Sequence, residues 1–112
     1  MNGLDIYHEV CLPDIFYLEH PLGSIFGRAQ YGNFFTAMQG CTIGGNKNRL
    51  TGEIHYPILG THVTMLSNSK IIGNSKIGNH VTIAANAYVK DMNIPDNATV
   101  FGSYPDITIK FL

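Results

Sequence analysis

Glu19 and His20 stand side by side in the segment LEHPLGSIFG, residues 18–27, directly before a proline and close to a glycine. Imidazole titrates near neutral pH, so a histidine can take a proton from a hydroxyl group as a general base. Its second ring nitrogen then needs an acceptor that fixes the tautomer and stabilises the imidazolium. His20 is therefore a candidate catalytic base, and the alternative is a turn-forming His-Pro at an exposed corner.

The elements that must position this histidine follow a repeat of six residues. From Leu59 to Val89 every sixth residue is apolar, and the residue four positions further on is small or β-branched. Neither a helix nor a simple strand has this period. Short strands in stacked coils would place each apolar side chain on its equivalent in the next coil. The apolar series is Leu59, Met65, Ile71, Ile77, Ile83 and Val89, and the second series is Val63, Ser69, Ser75, Val81 and Ala87.

The repeat extends backwards with two interruptions. Ile43, Ala37, Tyr31 and Ile25 keep one phase, and Ile6, Leu12 and Leu18 step by six before them. The step from Leu18 to Ile25 is seven, which predicts one inserted residue. The second interruption is the segment 44–57, whose glycines, asparagines and charges predict a loop that leaves the repeat. An antiparallel sandwich is disfavoured because its strands lack a strict six-residue spacing.

Composition limits the function classes. The chain of 112 residues is expected to form one small domain, for which oligomerisation is a natural source of stability. A net charge of -1 and 13% charged residues argue against nucleic acid as a partner. Without a basic and apolar leader or a long apolar segment, we expect a cytoplasmic protein with no membrane partner. Cys11 and Cys41 are expected to be buried or free thiols.

Several motifs, in this order, resemble the hexapeptide-repeat acyltransferases, in their serine acetyltransferase-like branch. They are LDI at 4–6, EHPLG at 19–23, QGCTIGGN at 39–46, the hexads from 59 to 89, and IPDNATVFG at 94–102. The resemblance implies an all-β fold, a left-handed parallel β-helix of hexapeptide repeats with one excursion loop. It further implies three strands per coil and a homotrimer with active sites between subunits. The β-helix domain would span 1–102, with the excursion loop at 44–57, and a tail strand would span 103–112.

The resemblance also assigns catalytic roles. The family pairs an acid with a histidine fifteen residues later, and Asp5 and His20 have that spacing. His20 is therefore carried over as the general base and Asp5 as the acid that orients it. Glu19 stands where the branch usually has an aspartate before the histidine. Glu19 and His55 are possible acceptor contacts, although His55 is one residue further from its proline than in the serine-specific enzymes.

The implied cosubstrate is acetyl-CoA. Its pantetheine arm would follow small residues in successive coils, here Gly45, Ser67 and Ala85, and Lys47 could meet its phosphates. Asn68 and Asn86 are expected to be turn residues, because asparagine tolerates left-handed backbone conformations. His62 and His80 are eighteen residues apart and are expected to stack on one face of the prism. Two histidines are weak evidence for a metal site, so no metal is predicted.

The resemblance predicts an acetyl-CoA-dependent O-acetyltransferase that acts on a hydroxyl of a small acceptor. The chain begins directly at the first coil, whereas serine acetyltransferases usually carry a helical N-terminal domain. The acceptor is therefore expected to be a sugar of a surface polysaccharide at least as readily as serine. The alternatives are an N-acetyltransferase that acts on an amino sugar and a β-helix scaffold without catalysis.

Overall fold

The short strands of the repeat coil into a three-faced prism in the computed structural model of the protein. No residue of the described chain is helical. Strands of successive coils pair in parallel, as Lys70 does with Tyr88 eighteen residues later. The all-β, left-handed parallel β-helix that the family resemblance implied is confirmed. The structure describes the backbone of residues 4–6, 16–18, 24–27, 29–47 and 49–111, and side chains from residue 27 onward within these ranges.

Each face of the prism is a parallel sheet of strands two or three residues long, except for β15. The first face holds β2 (Phe16–Leu18), β4 (Phe35–Ala37), β9 (Thr64–Met65), β12 (Thr82–Ile83) and β15 (Ala98–Ser103). The second holds β1 (Leu4–Ile6), β3 (Ser24–Phe26), β5 (Thr42–Gly44), β10 (Lys70–Ile72) and β13 (Tyr88–Lys90). The third holds β8 (Ile58–Leu59), β11 (Lys76–Ile77) and β14 (Asn93–Ile94).

Two hairpins depart from the parallel coils. The excursion hairpin, β6 (Asn46–Lys47) and β7 (Ile54–His55), is antiparallel and lies within the segment predicted to leave the repeat. At the other end, β16 (Asp106–Phe111) pairs antiparallel with β15 of the same chain. Ile107 and Ile109 of β16 pack against the core. The tail thus extends the first face beyond the last coil.

The core is the apolar ladder predicted from the six-residue spacing. The series from Leu59 to Val89 is at most 4% exposed, and the series from Val63 to Ala87 is at most 2% exposed. Two members of the second series are serines, and their hydroxyls donate to carbonyls three residues back, Ser69 to Leu66 at 2.7 Å and Ser75 to Ile72 at 2.8 Å. Each fully buried aliphatic side chain stabilises the fold by about 1.5–3 kcal/mol. The stacked ladder therefore supplies what short strands lack individually.

Two further buried groups complete this interior. Cys41 is buried and free, as predicted from the cysteine spacing, and its sulfur donates to the Leu66 carbonyl at 3.3 Å. Cys11 lies outside the described residues. The Tyr31 hydroxyl donates to the Gly27 carbonyl at 2.8 Å, and burial raises the pKa of Tyr31 above its ordinary value of 10.0. Both groups are thus satisfied by backbone carbonyls.

The register of the first coils differs from the prediction at one point. Ile43 pairs with Phe26 rather than with Ile25, and Phe26 pairs with Ile6 on its other side. The expected phase of Ile25 was therefore wrong. The step from Leu18 to Phe26 is eight residues and the step from Phe26 to Tyr31 is five. A two-residue insertion followed by a one-residue deletion has the same net effect as the single insertion that was predicted.

Left-handed backbone residues form the three edges of the prism. We call the edge between the third and first faces the ring edge, which holds Phe34, His62, His80 and Asn97. The asparagine edge, between the first and second faces, holds Gly40, Asn68 and Asn86, which confirms the turn role predicted for the two asparagines. The hairpin edge, between the second and third faces, holds Gly73 and Asp91.

Candidate functional site

The predicted catalytic pair falls largely outside the described side chains. Asp5 lies in β1, where its backbone pairs with Ile25, and the same row continues through Thr42 and Lys70 to Tyr88. Glu19 and His20 lie outside the described residues. The pairing of Asp5 with His20, and the acceptor contact assigned to Glu19, stay predictions.

The excursion hairpin leaves the β-helix at the hairpin edge and folds back over it. Asn46 pairs with His55, and Lys47 pairs with Ile54. At its base, a Cβ on Gly45 would lie 2.8 Å from ring carbons of Tyr56, closer than real Cβ contacts allow. The two ends of the hairpin thus meet closely at this glycine, and a side chain here would force the Tyr56 ring to move.

Asp91 links this hairpin to the coils beneath it. Its Oδ1 accepts a hydrogen bond from the backbone N–H of Asn74 at 2.7 Å, and its Oδ2 accepts one from Asn46 Nδ2 at 3.2 Å. Its own N–H donates to the Ile72 carbonyl at 3.1 Å. One side chain thus joins the excursion hairpin to two successive coils. The sequence reasoning missed this role, although Asp91 lies eighteen residues after Gly73, which begins the same corner one coil earlier.

A polar pocket of about 340 Å³ opens between the hairpin and the edge, lined by Asn46, His55, Asn74 and Asp91. His55 is half-buried, and its Nε2 lies 3.4 Å from Glu53 Oε2. The lining combines two side-chain amides, which donate and accept hydrogen bonds, with a carboxylate acceptor and an imidazole that can do either. Such a set can hold a small polar molecule by several hydrogen bonds at once.

The residues predicted to contact the cofactor are divided between two edges. Ser67 and Ala85 occupy equivalent positions in successive coils at the asparagine edge, where the N–H of Asn86 donates to the Ser67 carbonyl at 3.0 Å. Gly45 lies instead at the hairpin edge, and Lys47 is exposed on the excursion hairpin. The structure brings the first two together and keeps the other two apart from them. Cofactor binding by all four stays a prediction.

The expected stacking of His62 and His80 is confirmed. Their ring centroids are 4.5 Å apart with an interplanar angle of 13°. Phe34 extends the stack on the other side of His62, also at 4.5 Å, and was not anticipated. The stacking of Phe34 on His62 could not be predicted from the repeat. The excursion hairpin lengthens that coil, so Phe34 precedes His62 by 28 residues rather than eighteen. The rings cover one another's faces, so the stack stabilises the ring edge.

The described residues also bear on metal binding and on membrane spans. Within them, no group of three or more histidine, cysteine, aspartate or glutamate side chains is arranged to hold a metal ion. The same part of the chain also lacks any helix with the length and apolarity that a membrane span requires.

Comparisons with known proteins extend this geometry. No protein-family model matches the chain. A serine acetyltransferase of Staphylococcus epidermidis is 33% identical over 102 residues, which is 90% of this chain and 46% of that enzyme. The chain therefore spans about half the length of the curated relatives it matches.

Solved structures give the same result. The crystal structure of a Neisseria gonorrhoeae serine acetyltransferase matches with a TM-score of 0.82 and 28% identity, over 98% of this chain and 41% of that one. A serine acetyltransferase in complex with CoA matches with a TM-score of 0.69 and 27% identity, over 95% and 40% respectively. Fold and sequence together define a left-handed β-helix of the hexapeptide-repeat acyltransferase class. Within that class the chain is serine acetyltransferase-like.

Proposed function

We propose that this chain is the catalytic β-helix of an acetyl-CoA-dependent O-acetyltransferase. The observation that carries the proposal is the match of nearly the whole chain to serine acetyltransferases, in sequence over 90% of its length and in structure over 98%. A related enzyme of the same fold has been crystallised with CoA, which supports acetyl-CoA as the acetyl donor.

The proposed reaction uses His20 as the general base. Its imidazole takes the proton of the acceptor hydroxyl while the oxygen attacks the thioester carbonyl of acetyl-CoA. The tetrahedral intermediate collapses, the carbon–sulfur bond breaks, and the proton passes to the leaving thiolate. Asp5 accepts a hydrogen bond from the second ring nitrogen and so stabilises the imidazolium. The products are the acetyl ester and free CoA.

The described residues offer separate contacts for the cofactor and for a neighbouring subunit. Ser67 and Ala85 would align the pantetheine arm along the asparagine edge, and the ammonium group of Lys47 would meet phosphate oxygens. Leu50 and Ile54 of the excursion hairpin are 96% and 52% exposed. Exposed apolar side chains on a hairpin suit burial against another copy of the chain, which supports self-association. The family resemblance gives the proposed assembly as a homotrimer.

Release of free CoA thiol from acetyl-CoA, measured with a panel of hydroxyl and amine acceptors, tests the proposal. We expect His20→Ala to lower kcat by about 10²–10⁴-fold, because the proton-transfer contribution is lost. His80→Ala is the matched control, since it removes a histidine from the ring edge, and it should retain wild-type turnover. Unchanged turnover in His20→Ala would contradict the mechanism, and mass measurement of the product distinguishes an ester from an amide.

A further inference from the structure

The pocket at the base of the excursion hairpin is lined by groups that suit one class of acceptor. We propose that it binds a neutral polyhydroxyl acceptor, such as a sugar unit, and that Asp91 disfavours acceptors with a free carboxylate. This inference rests on the proposed function, because it names the acceptor of the same reaction.

The two sides of the excursion hairpin carry different chemistry. Successive residues of a strand point to opposite sides, and residues that pair across a ladder share a side. Asn46 and His55 pair with each other, are both half-buried and line the pocket. Lys47 and Ile54 pair on the other side and are exposed. The hairpin strands therefore turn an amide and an imidazole towards the pocket and the ammonium group of Lys47 away from it.

Asp91 gives the pocket a fixed negative charge. Both carboxylate oxygens accept hydrogen bonds, from Asn74 and from Asn46, and these bonds hold the group in place. Among the described residues that line the pocket, none is a lysine or an arginine. A second carboxylate about 4 Å from the first is disfavoured about fivefold even at the dielectric constant of water. An α-amino acid or a uronic acid would meet this repulsion, and the described lining offers no lysine or arginine to offset it.

Hydroxyl groups fit the same lining well. A hydroxyl both donates and accepts, so it can donate to the carboxylate of Asp91 and exchange hydrogen bonds with the amides of Asn46 and Asn74. The volume of about 340 Å³ lies at the lower end of the range of small-molecule sites, which is roughly 300–1,000 Å³. The pocket therefore has room for one small polar unit, with several donors and acceptors to orient it.

The test compares acceptors that differ in one carboxylate, using the full chain with acetyl-CoA. The pairs are methyl glucoside with methyl glucuronide, and serinamide with L-serine. We expect kcat/KM for the neutral glycoside to exceed that for its carboxylate partner at least about fivefold. Asp91→Asn should bring this ratio towards one. Asparagine keeps an oxygen for the Asn74 N–H, and the amide of Asn46 can turn its own oxygen towards the new side chain.

Asp96→Asn is the matched control. Asp96 Oδ1 accepts the N–H of Asn79 at 2.7 Å, the same bond that Asp91 makes with Asn74, but it lies near the ring edge and not in the pocket. This variant should leave the acceptor ratio unchanged. Equal kcat/KM values for the two glycosides in the wild type would overturn the inference. A glucoside-to-glucuronide ratio that both variants change equally would also overturn it. Observed turnover would still leave the proposed function intact.

A binding measurement separates the two proposals if no acceptor is turned over. Absence of CoA release with every acceptor overturns the proposed function. Binding of the four compounds without acetyl-CoA, followed by NMR, then decides the inference. Tighter binding of the neutral glycoside that Asp91→Asn abolishes supports it, and equal binding within the glycoside pair overturns it.

Discussion

The hairpin edge and the ring edge contain the same local hydrogen bond but differ in what surrounds it. Near each edge an aspartate Oδ1 accepts a backbone N–H seventeen residues earlier, Asp91 from Asn74 and Asp96 from Asn79, both at 2.7 Å. Each bond ties one coil to the preceding one. The difference arises one coil earlier still, where the excursion hairpin interrupts the hairpin edge but not the ring edge.

At the ring edge the pattern continues without a break. Asn79 Oδ1 accepts the N–H of Thr61 at 2.8 Å, so the side-chain oxygen of one coil again satisfies a backbone N–H of the preceding coil. At the hairpin edge the second oxygen of Asp91 accepts instead from the side chain of Asn46, and a pocket opens beside it. In a regular repeat, the polar side chains at the corners thus form hydrogen bonds with neighbouring coils. An interrupted repeat leaves the same kinds of group available to a ligand.

The largest predicted effect comes from the face that joins these two edges. Ile77 lies on the third face and is 2% exposed. Ile77→Ala should lower the free energy of unfolding by about 2–5 kcal/mol, because it removes buried methyl groups and leaves a cavity. Urea unfolding measures the loss, and hydrogen exchange should rise at both edges together. Leu50→Ala, at an exposed position, should stay within about 0.5 kcal/mol of the wild type. Faster amide hydrogen exchange at one edge alone would show that Ile77 does not stabilise both edges.

The next prediction separates the two edges from each other. Asp91→Ala and Asp96→Ala should each lower the free energy of unfolding by about 1–2 kcal/mol, because each removes hydrogen bonds to a carboxylate. Asp91→Ala should also speed amide exchange in β6 and β7, since Asn46 loses its partner at Asp91. Exchange of the excursion hairpin should be unchanged in Asp96→Ala. Equal hairpin exchange in both variants would contradict the linking role of Asp91.

The fold was largely predictable from the sequence because its signal is repeated. The spacing of six recurs from Leu59 to Val89, and every such side chain is buried. The stacking of His62 and His80 followed from the same arithmetic, since one coil is eighteen residues. The phase of Ile25 was wrong because an insertion and a deletion within one coil partly cancel in the sequence. The spacing of apolar residues shows only the net change in coil length. It therefore cannot reveal an insertion and a deletion that partly cancel within one coil.

The candidate site was less predictable because it depends on contacts between distant segments. The importance of Asp91 comes from Asn46, 45 residues earlier, and no spacing rule connects the two. Phe34 escaped notice for a related reason, since the excursion separates it from its stacking partner. Residues that act within the repeat can thus be predicted from its period. Residues that act where the repeat is interrupted require the three-dimensional position of the excursion hairpin.

A smaller effect is expected at Tyr31, which lies beneath the start of the third face. Tyr31→Phe should lower the free energy of unfolding by about 1 kcal/mol at pH 8, because the hydrogen bond to Gly27 is lost. Burial raises the pKa of Tyr31 in the folded state. Above pH 10 the unfolded chain therefore ionises first, and the wild type loses stability that Tyr31→Phe does not lose. Urea unfolding at pH 8 and 10.5 should show the gap between them narrowing. A gap that widens would contradict the assigned direction.

The smallest effects should come from the ring edge, where two terms oppose each other. Replacing a stacked histidine with glycine relieves the cost of a left-handed backbone, which is about 1 kcal/mol, but it loses ring contacts of about 0.5–1.5 kcal/mol each. His62 stacks on both Phe34 and His80, whereas the one ring contact described for His80 is its stack on His62. His80→Gly should therefore change the free energy of unfolding by less than about 1 kcal/mol, and His62→Gly should be the more destabilising of the two. The reverse order in urea unfolding would show that backbone strain, rather than stacking, dominates this edge.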